Sequence, residues 1–238
     1  MHQTTYTLAN RLLTFLNLTE KMHAAGVVTH EALFKPFITI AREPGSGGAP
    51  IAAAVAKKLE YELIDEQIID DIAQSTKKRR GIVANLDEKE RSAIDSLVHN
   101  MLSSEHLGKE RYVFELVKVI LTYAYKGKAV ILGRGANFIT PFGKGLHVNI
   151  TAPYKVRVQR AMDYEGHDEK KAKAVIASVE KERREFVKEY FDADATKMNS
   201  YDLTINTTYF DVHQARDLVI SAFQKKFATS LKQRIANL

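Results

Sequence analysis

The chain has 238 residues, 45% of them hydrophobic and 27% charged, which is the make-up of a globular protein with enough apolar side chain for a sizeable core. Disordered, collagen-like and coiled-coil architectures are excluded, and no apolar stretch approaches the roughly 18–20 residues that cross a bilayer. The net charge of +6 comes from 35 basic and 29 acidic residues spread along the chain, without the long basic tail of a polyanion binder. The one dense run, Lys77-Lys78-Arg79-Arg80, reads as a solvated helix end or loop, with a polyanion contact as the alternative. Aromatic residues are not interleaved with the Lys/Arg clusters, so nucleic acid is not an expected partner. Cysteine is absent, which removes disulfides, thiol catalysis and cysteine–zinc sites together. No basic residue precedes Arg11, no secretory signal is expected, and a cytoplasmic location without membrane contact fits.

Residues 1–36 read as a helical extension, with Leu8, Leu12, Leu13 and Leu16 at helical spacing. It packs on the main domain or on a partner subunit, and a homodimer formed through it is one expectation. The main domain is expected over 37–226, followed by a helical tail, 227–238. Phe37–Arg42 is rich in β-branched and aromatic residues and reads as a buried strand. The glycine-rich turn Pro44-Gly45-Ser46-Gly47-Gly48 follows, then Ile51, Ala52, Val55, Ala56 and Leu59 at helical spacing. Helices are predicted over about 66–75, 88–103 and 110–125. Strands are predicted at 129–132, ending in Gly133-Arg134-Gly135, and at 146–150, ending in Ala152-Pro153. Two charged helices follow near 154–165 and 168–189. A last strand at 202–206 leads into a helix with Val212, Ala215, Leu218, Val219 and Ala222 on one side. Strands alternating with helices predict an α/β fold of three layers, with a parallel sheet between helices. Ligands on such sheets sit at the carboxyl ends of the strands, where all three glycine or proline turns fall.

A strand feeding a glycine turn at a helix N-terminus is an anion site by construction. Unpaired N–H groups point outward, the helix dipole adds partial positive charge, and glycine admits phosphate oxygens. The phosphate-cradle pattern G-x-x-x-x-G-K-[ST] is nevertheless not met. With Gly47 as its second glycine, the first falls on Arg42, the lysine on Gly48 and the hydroxyl residue on Ala49. From this segment alone, a plain strand-to-helix turn and an anion site stand equal.

The segments Ile38–Gly48, Tyr61–Asp65, Ile131–Ala136, Ala152–Arg160, Glu180–Arg183 and Tyr201–Asn206 together resemble the cytidylate kinase-like family, in the expected order over about 37–225. The resemblance implies a P-loop nucleoside-monophosphate-kinase fold with a five-stranded parallel sheet, a mobile substrate-binding section and an arginine-bearing lid at about 154–185. It implies ATP and Mg²⁺ as cofactors and a nucleotide or small phosphorylated molecule as substrate. Gly45, Ser46, Gly47 and Gly48 match the phosphate loop, and Arg134 matches a residue that holds the acceptor. Arg157, Arg160 and Arg183 match catalytic arginines, with Glu180 and Arg183 as an acidic–arginine pair. Arg42 and Asp65 join Arg134 as acceptor-binding candidates. The departures are Gly48 where the family's kinases proper carry lysine, Ala49 and Pro50 where a hydroxyl residue helps hold magnesium, and Leu132 where an acidic residue stands. Two functions follow: phosphoryl transfer from ATP to a CMP-like or other small acceptor, or a catalytically impaired nucleotide- or phosphometabolite-binding protein on the same fold.

Other constellations fall away. Gly133-Arg134-Gly135 begins a dinucleotide fingerprint, but Phe138 stands at its sixth position and no acidic residue follows at the right distance. Pro44 breaks the serine elbow around Ser46. His99 and His106 are seven apart, and a solvated pair is a better account of them than a metal site; no metal ligands are expected. Asp70 and Asp71 are consecutive, point apart on a helix, and read as surface charges.

Overall fold

The computed structural model describes residues 35–84, 111–140 and 143–228, with scattered positions between 86 and 98. The predicted extension helix, a dimer contact through it, most of the predicted 88–103 helix, His99, His106 and the tail beyond 228 lie outside the described residues.

Five strands form one parallel sheet: β1 Phe37–Arg42, β2 Glu62–Ile64, β3 Ala129–Leu132, β4 Gly145–Thr151 and β5 Leu203–Asn206. Their order is β2-β3-β1-β4-β5. Ile40 lies opposite Leu132 on one side and Val148 on the other, which puts β1 at the centre. The sheet is the expected one, with one strand that hydrophobic patterning missed. Three residues of β2 are too few to show a period of two, and it forms because β3 offers it a free edge, with Glu62 N–H bonding Lys128 C=O.

Side-chain alternation makes the three layers. On β3, Ala129 and Ile131 join a core with helices α2 Glu66–Gln74 and α4 Arg111–Lys126. Val130 and Leu132 join the opposite core, with helices α1 Gly48–Leu59 and α8 Val212–Phe227. Between α2 and α4 comes α3 Thr76–Ala84, whose Lys77, Lys78 and Arg80 are exposed. Lys78 pairs with Asp71 at 3.0 Å, so the basic run is a solvated face. The short α5 Ala136–Ile139 follows β3. Helices α6 Tyr154–Glu165 and α7 Glu169–Phe191 pack on each other over a small core of Val158, Ala161, Ala172 and Ile176, and the end of α7 carries Phe191 into the first core.

On α8 the inward face is Ala215, Val219 and Phe223, and the expected Leu218 is 41% exposed. The stripe at 215, 219 and 223 leaves position 218 just beside the contact. Among the described residues no helix is long and apolar enough to cross a membrane.

Ile40 is 1% exposed at the middle of the central strand. Ile40→Ala is expected to cost about 2–5 kcal/mol of unfolding free energy, as transfer and cavity terms add. Urea titration checks it.

Candidate active site

β1 ends at Arg42, and the chain turns through Glu43–Gly47 into α1. Gly45 and Gly47 have φ of +76° and +84°, a left-handed backbone that glycine adopts without the Cβ penalty. Gly47 caps α1 with no side-chain bond, so the first amides of the helix lack intrahelical partners. Pro50 sits in that first turn and has no N–H. The candidate anion donors are therefore the N–H groups of Gly47, Gly48 and Ala49.

The Arg42 side chain leaves the loop and crosses to the end of β3. A methyl at Gly48 would overlap Arg42 Cβ and lie 2.8 Å from its Cγ. A methyl at Gly133 would overlap Arg42 Nη1 and lie 3.2 Å from its Cζ. Arg42 thus runs through a corridor left open by two glycines, and its Nη2 meets Glu66 Oε1 at 2.7 Å. Glu66 opens α2, and the preceding Asp65 caps that helix by accepting from Ile68 N–H at 2.8 Å.

A cavity of about 460 Å³ opens beside this corridor. Its floor is the carboxyl ends of β1, β3 and β4, at the switch of strand order where open α/β sheets bind ligands. Arg42, Arg134 and Arg183 all line it, with Phe138, Phe186 and Tyr201 as its apolar and aromatic wall. Arg183 Nη1 donates to Arg42 C=O at 3.0 Å, and its Nη2 lies 3.8 Å from Glu66. Burial, then the like charge of Arg42, push the Arg183 guanidinium down, though it stays charged at neutral pH. Burial pushes Glu66 up, but Arg42, Arg183 and Arg134 outweigh it and hold the carboxyl below its usual range.

Arg134 has φ +48°. Asp70 accepts from its Nε at 3.0 Å and also from its Nη2, and Phe186 lies 5.5 Å from the guanidinium. Burial would lower Arg134; the Asp70 bond and charge outweigh it and raise it. Tyr112 also donates to Asp70, at 2.6 Å. Burial, then that bond, push the Tyr112 hydroxyl well up. Asp70 is therefore the anchor of Arg134 rather than a surface charge. The two lie 64 positions apart, so no local pattern pairs them; α2 does turn Asp71 away to solvent, as expected.

Two other arginines take a different place. Arg157 is 5% exposed, donates to Ala152 C=O and Pro44 C=O, and pairs with Glu180 at 2.5 Å and Glu43 at 3.4 Å. Arg160 donates to Ser46 C=O and to both oxygens of Thr207. Neither lines the cavity. Glu180 reaches Arg157 and, at 3.9 Å, Arg184. The expected pairing of Glu180 with Arg183 is not made, because Arg183 is drawn to the Arg42 carbonyl and Glu66.

Residues 37–209 match the cytidylate kinase-like family. The chain belongs to that family. It is 24% identical over 188 residues to a cytidylate kinase of Halobacterium salinarum, covering 78% of this chain and 88% of that one. A 32% identity over 99 residues links it to a uronate isomerase of Corynebacterium glutamicum, over 41% of this chain. The chain spans only 19% of that isomerase. A solved, uncharacterized protein from Eubacterium ventriosum shares the fold, with a TM-score of 0.63, 23% identity, and 80% and 99% of the two chains covered.

For a cytidylate kinase-like protein the donor set around the loop does not fit a protein-held magnesium ion. Ala49 and Leu132 offer no oxygen side chain, and the Glu43 carboxylate is taken by Thr151, Ala152 N–H and Arg157. Among the described residues no three His, Asp or Glu side chains gather as ligands.

Gly48→Ala is expected to cost about 1–3 kcal/mol by overpacking against Arg42. Adding Arg42→Gly recovers part of it, so a double-mutant cycle on denaturation data reads a coupling of about 0.5–3 kcal/mol; strict additivity refutes the corridor. Because folding lowers the Glu66 pKa, the wild type's stability advantage over Glu66→Gln is full above about pH 4.3. It fades as pH falls through the lower folded value, which acid unfolding curves of both proteins check.

Proposed function

We propose that the protein is a phosphotransferase that moves the γ-phosphoryl group of ATP to a nucleoside monophosphate, CMP-like, or to another small phosphorylated acceptor. The observation that carries this reading is the position of Arg42. Its backbone leads into the phosphate loop, and its side chain reaches the cavity next door, which Arg134 and Arg183 also line. Donor and acceptor sites so joined let two phosphate groups meet in line, and positioning with charge neutralisation is most of phosphoryl transfer.

The donor's phosphates lie on the N–H groups of Gly47, Gly48 and Ala49, at the positive end of α1. Gly45 and Ser46 shape the turn before them. The acceptor's phosphate takes Arg42 and Arg183, which share the Glu66 carboxylate. Arg134 is neutralised by Asp70 but keeps Nη1 for a ligand. Asp65 serves the acceptor indirectly, by capping the helix that presents Glu66. Phe138, Phe186 and Tyr201 offer surface to a base or another flat group. Arg183 is the catalytic arginine of the set, because from α7 it bonds the Arg42 carbonyl, where β1 turns into the loop.

A second reading is a nucleotide- or phosphometabolite-binding protein that has lost turnover. The closed corridor favours it: Arg42 fills the space over Gly48 where a lysine side chain would begin. Backbone donors bind without that lysine, whereas one well-placed cation on the transferred group is worth about 10³–10⁵ in rate.

A coupled assay of ATP consumption over nucleoside monophosphates and small phosphate acceptors, with calorimetry beside it, decides. Turnover of CMP is expected below the ~1–100 s⁻¹ of ordinary kinases. Arg134→Ala and Arg183→Ala are expected to weaken the acceptor by about 1.5–3 kcal/mol each, with Arg183→Ala also lowering turnover. Binding of ATP and CMP with no turnover selects the second reading. A wild type that binds neither nucleotide overturns both.

A further inference from the structure

We propose that Arg157 and Arg160 are positioning residues that set which way the phosphate loop's amides face, and act on the anion through the loop rather than by touching it. The inference rests on the reading that this loop holds the donor's phosphates.

In a planar trans peptide the C=O and N–H point in opposite directions. Whatever holds a loop carbonyl therefore aims the next residue's N–H. Arg157 Nη1 donates to Pro44 C=O at 3.3 Å, and this turns the Gly45 N–H away from α6. Ser46 C=O accepts from Thr207 Oγ1 at 2.8 Å and from Arg160 Nη1 at 3.3 Å, and this turns the Gly47 N–H away from Thr207 and Arg160. Glu43 C=O accepts from both Ser46 N–H at 3.2 Å and Ser46 Oγ at 2.8 Å. Three carbonyls of the turn, those of Glu43, Pro44 and Ser46, are thus held, the last two by side chains from outside it.

The holders are themselves held. Arg160 Nη2 donates to Thr207 C=O at 2.7 Å, and Thr207 N–H donates to Thr151 C=O at 2.9 Å. Ser46 and Thr207 are 0% and 2% exposed. A methyl at Gly45 would sit 2.7 Å from Arg157 C=O, so the loop rests directly on α6.

The two arginines differ in charge. Glu180 and Glu43 neutralise Arg157, which leaves it a geometric part. Arg160 has no carboxylate within ion-pair distance among the described residues, so its charge also draws an anion from beneath the loop.

The test uses ¹⁵N-labelled full-length protein and sodium tripolyphosphate, with the variants Arg160→Met, Arg160→Lys and Thr207→Val. In the ligand-free protein, Arg160→Met and Thr207→Val are expected to move the Gly47 amide resonance and leave Gly133 in place. Calorimetry is expected to show tripolyphosphate binding roughly tenfold weaker in Arg160→Met. Thr207→Val, which keeps its shape and charge, loses a few-fold. Arg160→Lys keeps the charge without the fork and recovers only part of the binding. An unmoved Gly47 resonance in both variants overturns the proposal, as does full binding in Arg160→Lys. If Arg160→Met does not fold, Thr207→Val decides on the same two readouts. A wild type that binds neither tripolyphosphate nor ATP overturns the functional reading alone, and the ligand-free Gly47 shift then decides the role of Arg160.

Discussion

Arg42 ties the site together, and it does so because two glycines make room for it. Its side chain covers Gly48, passes Gly133 and ends on Glu66, joining the phosphate loop, the end of β3 and the start of α2. A residue with a Cβ at either glycine displaces it. The substitution of Gly48 for lysine is thus more than a deletion: a lysine at that position and an arginine at Arg42 exclude each other by contact. A cation strengthens phosphoryl transfer only where charge develops, and the Arg42 guanidinium lies away from the loop, at Glu66.

The cavity's charges are graded by their partners. Arg134 is matched by Asp70 through two bonds and stacked on Phe186, which fixes its plane. Arg42 and Arg183 share Glu66, and burial first, then the like charge of Arg42, push the Arg183 guanidinium down. Pairs such as Lys173–Glu169 on exposed α7 are solvated and worth little by comparison. Buried Arg157 is a third case. Removing Glu180 would strand its charge, which costs more than the pair contributes when made.

Much of the fold was legible in the residues. Four strands and the helices at 48–59, 66–74, 111–126, 154–165 and 169–191 show their periods locally, and the glycine turn between β1 and α1 marks the carboxyl edge. The phosphate loop was readable for the same reason: strand, glycines and helix follow one another in the chain. The strand β2 was not, because three residues carry no period and its place depends on an edge that β3 provides.

Which arginine does what was decided by tertiary structure. By spacing, Arg157 and Arg160 share a helix face and Glu180 lies one turn from Arg183, and both facts hold in the fold. Yet the partners come from elsewhere in the chain: Pro44 and Ser46 carbonyls for the first pair, Arg42 and Glu66 for Arg183. Asp70 and Tyr112 reach Arg134 across 64 and 22 positions only after α2 and α4 pack on the same sheet face. Local sequence determines elements, because helix and strand periods are set by neighbours a few residues away. Charge pairing is set by distance in space, and that distance exists only once the sheet has brought β1, β3 and the helices together.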